Sequence, residues 1–250
     1  MALLALALLT FALAACTSPA NSPSPTPAAT WSLAALGDSI PAGTACDCEP
    51  YPLLSASDLS LPGGPAVSAS NEAVSGFTSL DVLHQLRTAR AAINAVAAAR
   101  VVEIEVGAND AAPSNSCGTD AACYQPAIAD FRVNLHDIVE RVHELTAGHA
   151  VTVVLLDYWS VWLGGTYAQE EGQAYVDAAT SVTDKVNTVI RDVAAQTGSA
   201  YVDLRAAFKG PDYASDETQY LATDGIHPNA TGHQQIAAAL AEVAQKRMQP

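Results

Sequence analysis

Two segments far apart in the chain carry groups suited to nucleophilic chemistry: Gly37-Asp38-Ser39-Ile40 and Asp224-Gly225-Ile226-His227-Pro228. Ser39 offers a hydroxyl and His227 a base. Asp224 stands three residues before that base, so in a turn or helix its carboxylate can accept the imidazole Nδ1–H and leave Nε2 free. Two further segments offer neutral donors for a developing oxyanion. Asn71-Glu72-Ala73-Val74-Ser75-Gly76 ends in a glycine whose N–H no Cβ shields. Gly107-Ala108-Asn109-Asp110 holds a side-chain amide behind a glycine that permits a tight turn. Each segment also has an ordinary reading. A serine in Gly-Asp-Ser caps many helices, Asn-Asp is a common loop pair, and a lone Asp-x-x-His fits a surface turn. The weight lies in their joint occurrence, in this order.

The elements between them set where these groups can meet. Ser32–Leu36, Ala66–Ser70, Val101–Val106, Val151–Leu156 and Ala200–Leu204 read as strands, the second weaker than the rest. Helices are expected near 78–99, 127–147, 169–197 and 230–247. In the second of these, Phe131, Val133 or Leu135, Ile138, Val139, Val142 and Leu145 recur at helical spacing. Apolar strands alternating with helices indicate an α/β fold, a three-layer α/β/α sandwich around a five-stranded parallel sheet. Ser39 follows the first strand, Gly76 the second and Asn109 the third. Parallel strands put all their carboxyl ends on one edge, so these residues are expected to converge there. Asp224 and His227 precede the last helix and need only fold back over the same edge. Tyr158, Trp159 and Trp162 follow the fourth strand, where they either line a substrate pocket or cap the core.

Taken together, the four segments resemble the blocks of the SGNH (GDSL-type) hydrolases, named for Ser, Gly, Asn and His. The resemblance covers residues 31–250. It implies an SGNH/flavodoxin-like domain and a serine esterase or acylhydrolase. Ser39 is then the nucleophile, His227 the base and Asp224 its orienting partner. Ser39 N–H, Gly76 N–H and the Asn109 amide form the oxyanion hole. Phe77 stands where the family often has a small residue. No metal and no organic cofactor is expected. The same site would serve a carbohydrate acetyl esterase, and a non-catalytic surface binding lipoprotein is the alternative from another class. No Gly-x-Ser-x-Gly, His-Glu-x-x-His, P-loop or Gly-x-Gly-x-x-Gly occurs, which argues against the usual α/β-hydrolase elbow, a zincin, a nucleotidase and a dinucleotide enzyme. His84, His136, His143, His149 and His233 lie beside polar residues in helical stretches and read as surface groups.

The front of the chain differs from the rest. Residues 1–15 are almost wholly apolar, too short for a comfortable membrane span but suited to a secretory signal peptide. Leu13-Ala14-Ala15-Cys16 resembles the bacterial lipoprotein cleavage box, which implies lipidation at Cys16, although no Lys or Arg precedes the apolar run. A plain secretion signal or a short anchor are the alternatives. Residues 16–30 read as a Ser/Pro-rich tether. An exported domain is expected, held at the cell envelope by its lipid or released, and monomeric. Its substrate is expected to be a small-molecule, polysaccharide or lipid ester. With 26 acids against 11 bases and a net charge of −15, nucleic acid is an unsuitable partner. Four cysteines besides Cys16, namely Cys46, Cys48, Cys117 and Cys123, suggest two disulfides of open pairing, a Cys46–Cys48 bridge across one residue being expected to be strained, with a four-thiolate zinc site as the competing reading.

Overall fold

The computed structural model describes residues 30–248 apart from 61 and 63. The expected signal peptide, Cys16 and all of the expected tether but Thr30 lie outside these residues. Five parallel strands form one sheet: β1 (Thr30–Gly37), β2 (Ala66–Asn71), β3 (Val101–Glu105), β4 (Thr152–Leu156) and β5 (Ala200–Val202), in the order β2-β1-β3-β4-β5. Burial follows this order. Central β3 is buried at every residue, whereas edge strand β2 alternates between exposed and half-buried positions. A strand covered on both faces reads as a near-continuous apolar run, which is why β4 reads clearly in the sequence and β2 weakly; β3 is buried throughout although it carries Glu103 and Glu105.

Nine helices are present among the described residues. α1 (Ser39–Ala42) and α2 (Tyr51–Leu59) lie between the first two strands. α3 (Ser79–Thr88) and α4 (Arg90–Ala98) precede β3. α5 (Gln125–Leu145) precedes β4, and α6 (Gly165–Glu170) and α7 (Gln173–Thr197) lead to β5. α8 (Leu204–Lys209) and α9 (Ala230–Met248) complete the chain. Helices α3, α4, α5 and α7 pack beside one another, while α2 and α8 pack against α9, giving the three layers. On α5 the buried set is Ile128, Phe131, Leu135, Ile138, Val139 and Val142, close to the expected apolar stripe, with Leu135 inward, Val133 exposed and Leu145 half-buried.

The structure departs from expectation in three places. The helix expected over 78–99 is two helices. Ala89 takes an extended conformation between them (φ −88°, ψ 110°), and Thr88 turns its hydroxyl back onto the His84 carbonyl. The helix expected from 169 starts at Gln173, because Gly172 (φ +91°) separates it from α6. His233 is not a surface group but fully buried. α9 packs on α2, so the His233 Nδ1 accepts the Tyr51 N–H at 3.2 Å. Burial lowers its pKa to about 4, leaving it neutral.

Candidate active site

The first strand turns sharply into α1. Gly37 sits opposite Glu105 in the sheet with φ +144°, and a Cβ there would collide with the Glu105 carbonyl oxygen. A glycine therefore lets β1 end against β3 and turn at once. Asp38 caps the short helix, its Oδ1 accepting the Ile40 N–H at 3.1 Å. The Asp38 N–H donates to the Glu105 carbonyl at 3.1 Å, and Tyr158 donates its hydroxyl to Asp38 Oδ2 at 2.7 Å. Burial raises the Asp38 pKa to about 6, against the lowering effect of the Tyr158 and Ile40 hydrogen bonds. Ser39 follows, half-buried, at the first helical position. Its N–H meets no protein acceptor among the described residues, as expected for the opening turn of a helix.

The loop after β2 is fastened to this turn. The Val74 N–H donates to the Gly37 carbonyl at 3.1 Å, and the Asn71 amide donates to the Pro41 carbonyl at 2.6 Å. Gly76 has φ +86°, and its N–H is likewise without a protein acceptor among the described residues. The next residue, Phe77, accepts the Asn109 Nδ2–H at 2.9 Å through its carbonyl oxygen. One Asn109 amide hydrogen is thus spent on holding the Gly76–Phe77 peptide, and the other stays free. Thr78 then opens α3 with a reciprocal cap to Asp81.

Asn109 is held from behind. Gly107 has φ +136°, and a Cβ there would stand 2.7 Å from Phe131 Cζ. Asp110 accepts both the Ser79 N–H (2.9 Å) and the Ser79 hydroxyl (2.5 Å), while Asn134 donates to the same hydroxyl oxygen at 3.0 Å. Burial pushes Asp110 above the ordinary carboxylate range despite the hydrogen bonds from Ser79.

Asp224 and His227 occupy a turn closed by a bridge between Leu221 and Pro228 and by the Ala222 N–H donating to the His227 carbonyl at 2.7 Å. Asp224 Oδ1 accepts the N–H groups of Ile226 and His227, each at 3.0 Å, and Oδ2 accepts the imidazole Nδ1–H at 2.6 Å. Burial works to raise the Asp224 pKa. The hydrogen bonds from His227 and Ile226 outweigh it and hold the carboxyl below its ordinary value, hence ionised. The His227 side chain is only 14% exposed.

Ser39, Asn109 and His227 line one cleft of about 180 Å³. Its remaining walls are mostly apolar and include Ala112, Pro113, Val161, Trp162 and Ile226. The three aromatic residues after β4 divide. Trp162 is a wall of the cleft, fixed by its Nε1–H donating to the Ala111 carbonyl at 2.8 Å. Tyr158 and Trp159 are in the core, Trp159 stacked on Phe208 at 4.1 Å between ring centroids, so neither lines the cleft. Sequence spacing alone gave no part to Asp38. The signal was there in its place directly before the serine, ahead of a short apolar helix. The cysteines pair within their own loops, Cys46 with Cys48 and Cys117 with Cys123, in place of a four-thiolate cluster. His233 lies near the first pair, but its Nδ1 is taken by Tyr51 and the sulfurs by each other.

No curated protein sequence matches the chain. Many solved structures share the fold, three of them as follows. A lipase from a goat rumen metagenome is 20% identical with a TM-score of 0.65, covering 86% of this chain and 97% of its own. A lipase/acylhydrolase from Enterococcus faecalis is 22% identical with a TM-score of 0.62, covering 88% and 98%. An acetylxylan esterase from Geobacillus stearothermophilus is 19% identical with a TM-score of 0.61, covering 86% and 94%. The model of the GDSL-like lipase/acylhydrolase family matches residues 35–235, which takes in the serine turn, the loops after β2 and β3 and the Asp224–His227 turn. With that match over most of the chain, the protein belongs to the GDSL-like lipase/acylhydrolase family of ester hydrolases.

Proposed function

We propose that Ser39, His227 and Asp224 form a catalytic triad that hydrolyses carboxylic esters of short acyl chains. The observation carrying this reading is the shared cleft of Ser39, Asn109 and His227, with His227 already bonded to an ionised Asp224. The Ser39 hydroxyl oxygen attacks the ester carbonyl while His227 Nε2 takes its proton. The oxyanion is held by the free N–H groups of Ser39 and Gly76 and the free Asn109 amide hydrogen. Collapse of the tetrahedral intermediate expels the alcohol, which takes the proton from His227. Water then attacks the acyl-enzyme, gives its proton to His227, and releases the carboxylic acid as Ser39 regains its hydrogen.

The size of the cleft favours a short acyl group. An apolar cavity of about 150 Å³ holds a benzene molecule. A cleft of about 180 Å³ therefore suits a chain of about six carbons or fewer. An acetyl group on a sugar fits the same space, and the acetylxylan esterase of similar fold favours testing it. The proposal includes export and a lipid tether at Cys16, and the two cysteine pairs suit an oxidising compartment.

The test is a panel of aryl esters of graded chain length beside acetylated xylo-oligosaccharides, with Ser39→Ala as control. Turnover should decline beyond about six carbons, and Ser39→Ala should abolish both turnover and labelling by a fluorophosphonate. Activity retained in Ser39→Ala would reject the nucleophile.

A further inference from the structure

We propose that Tyr158 and Asp38 form a buried brace that sets the direction of the Ser39 nucleophile, making Tyr158 a positioning residue for catalysis. The inference rests on the reading of Ser39 as nucleophile and adds to it two residues that never touch substrate.

Asp38 is 1% exposed and Tyr158 fully buried. A carboxylate in such a place needs partners, and each of its oxygens has one: Ile40 N–H at 3.1 Å and the Tyr158 hydroxyl at 2.7 Å. The first bond fixes the opening turn of α1 and the second ties it to the end of β4. Ser39 lies between the two anchored residues. α1 has only four residues, so it cannot hold its own orientation. The stiffness must come from outside, and Tyr158 supplies it.

Tyr158 is itself gripped. Asn187, in the middle of α7, accepts the Tyr158 N–H at 3.2 Å and donates to its carbonyl at 2.7 Å. This pair of bonds copies the way a neighbouring strand would hold a residue, just where the sheet ends. The support thus runs from α7 through Tyr158 to Asp38 and the nucleophile turn. The β3 side braces the same turn through the Glu105 carbonyl, and the β2 side through Val74. Only the Tyr158 contact acts through a side-chain hydroxyl, and it can be removed without changing the ring that packs the core.

Displacing a reacting group by a fraction of its van der Waals radius slows chemistry far more than it weakens binding. Tyr158→Phe is therefore expected to lower kcat, and the rate of fluorophosphonate labelling at Ser39, about tenfold to a hundredfold. KM for a short aryl ester should change little, and the melting temperature should fall by a few degrees because Asp38 Oδ2 loses its buried partner, with the enzyme still folded at assay temperature. Asp38→Asn keeps an acceptor for Ile40 but replaces the carboxylate facing the hydroxyl, so it should lose a comparable factor. The double variant should be no slower than the slower single one, because both remove one contact. If Tyr158→Phe fails to fold, Asp38→Asn reads the same contact. Labelling of Tyr158→Phe and Asp38→Asn at the wild-type rate overturns the brace, as does a loss of kcat that only tracks loss of folded protein. Failure of the wild type to label at Ser39 would instead overturn the nucleophile assignment, so the two failures are distinct.

Discussion

Glu103 and Glu105 stand side by side on one face of β3, fully buried, and none of their four carboxyl oxygens has a hydrogen-bond partner among the described residues. From α2 the Ser55 hydroxyl faces Glu103 and the Tyr51 hydroxyl faces Glu105, each working to lower the carboxyl pKa but outside full hydrogen-bond geometry. Burial pushes both glutamates well above the ordinary carboxylate range, and the nearby Asp38 adds to the effect on Glu105. Each is then a neutral acid in the fold and an ionised one in the unfolded chain. A group whose pKa is higher when folded gives its full stabilisation below its unfolded pKa and loses it as pH climbs to the folded value. In that interval one proton per group costs about 1.4 kcal/mol of stability for each pH unit, about 2.7 kcal/mol for the pair. Asp38 and Asp157, raised by burial to about 6 and about 7, act in the same direction at lower pH but are common to wild type and variants. Replacing Glu103 and Glu105 by Gln keeps shape and neutrality while removing the titration. Urea unfolding at steps from pH 5 to pH 8 should show the double variant gaining on wild type as pH rises, and each single variant gaining half as fast. Parallel curves would mean that the carboxyls ionise in the fold, and the argument from burial would fail.

Two further outcomes are expected. Asn109→Ala removes the tie to Phe77 and one oxyanion donor together, and kcat should fall about 10²- to 10³-fold. An unchanged kcat would take Asn109 out of the site. Gly107→Ala places a methyl 2.7 Å from the Phe131 ring at φ +136° and should cost about 2–4 kcal/mol by thermal or urea unfolding, from backbone strain plus overpacking.

The sequence was most legible where one constraint ruled. Val151–Leu156 could only be a buried strand, and Phe131–Leu145 only an amphipathic helix. Three of the chemical segments follow parallel strands, whose ends must meet at one edge, while the Asp224–His227 turn precedes α9 and reaches the Ser39 and Asn109 cleft by folding back. Reading failed where packing partners decide. Nothing local separates Tyr158, which faces Asp38, from Trp162, which faces the cleft, four residues later. His233 looks like a surface residue until α9 is laid on α2. The break at Ala89 carries neither glycine nor proline, and the pairing of four cysteines depends on loop paths that no spacing fixes. Glu103 and Glu105 fall within a stretch read as an apolar strand, and the fold buries both whole.

Because the hydroxyl and the imidazole are contributed by opposite halves of the polypeptide, neither half alone possesses a working centre. A chain caught midway through acquiring its native form would carry an idle alcohol and a detached acceptor for its proton. On the proposed chemistry, hydrolytic competence arrives only with completed tertiary structure.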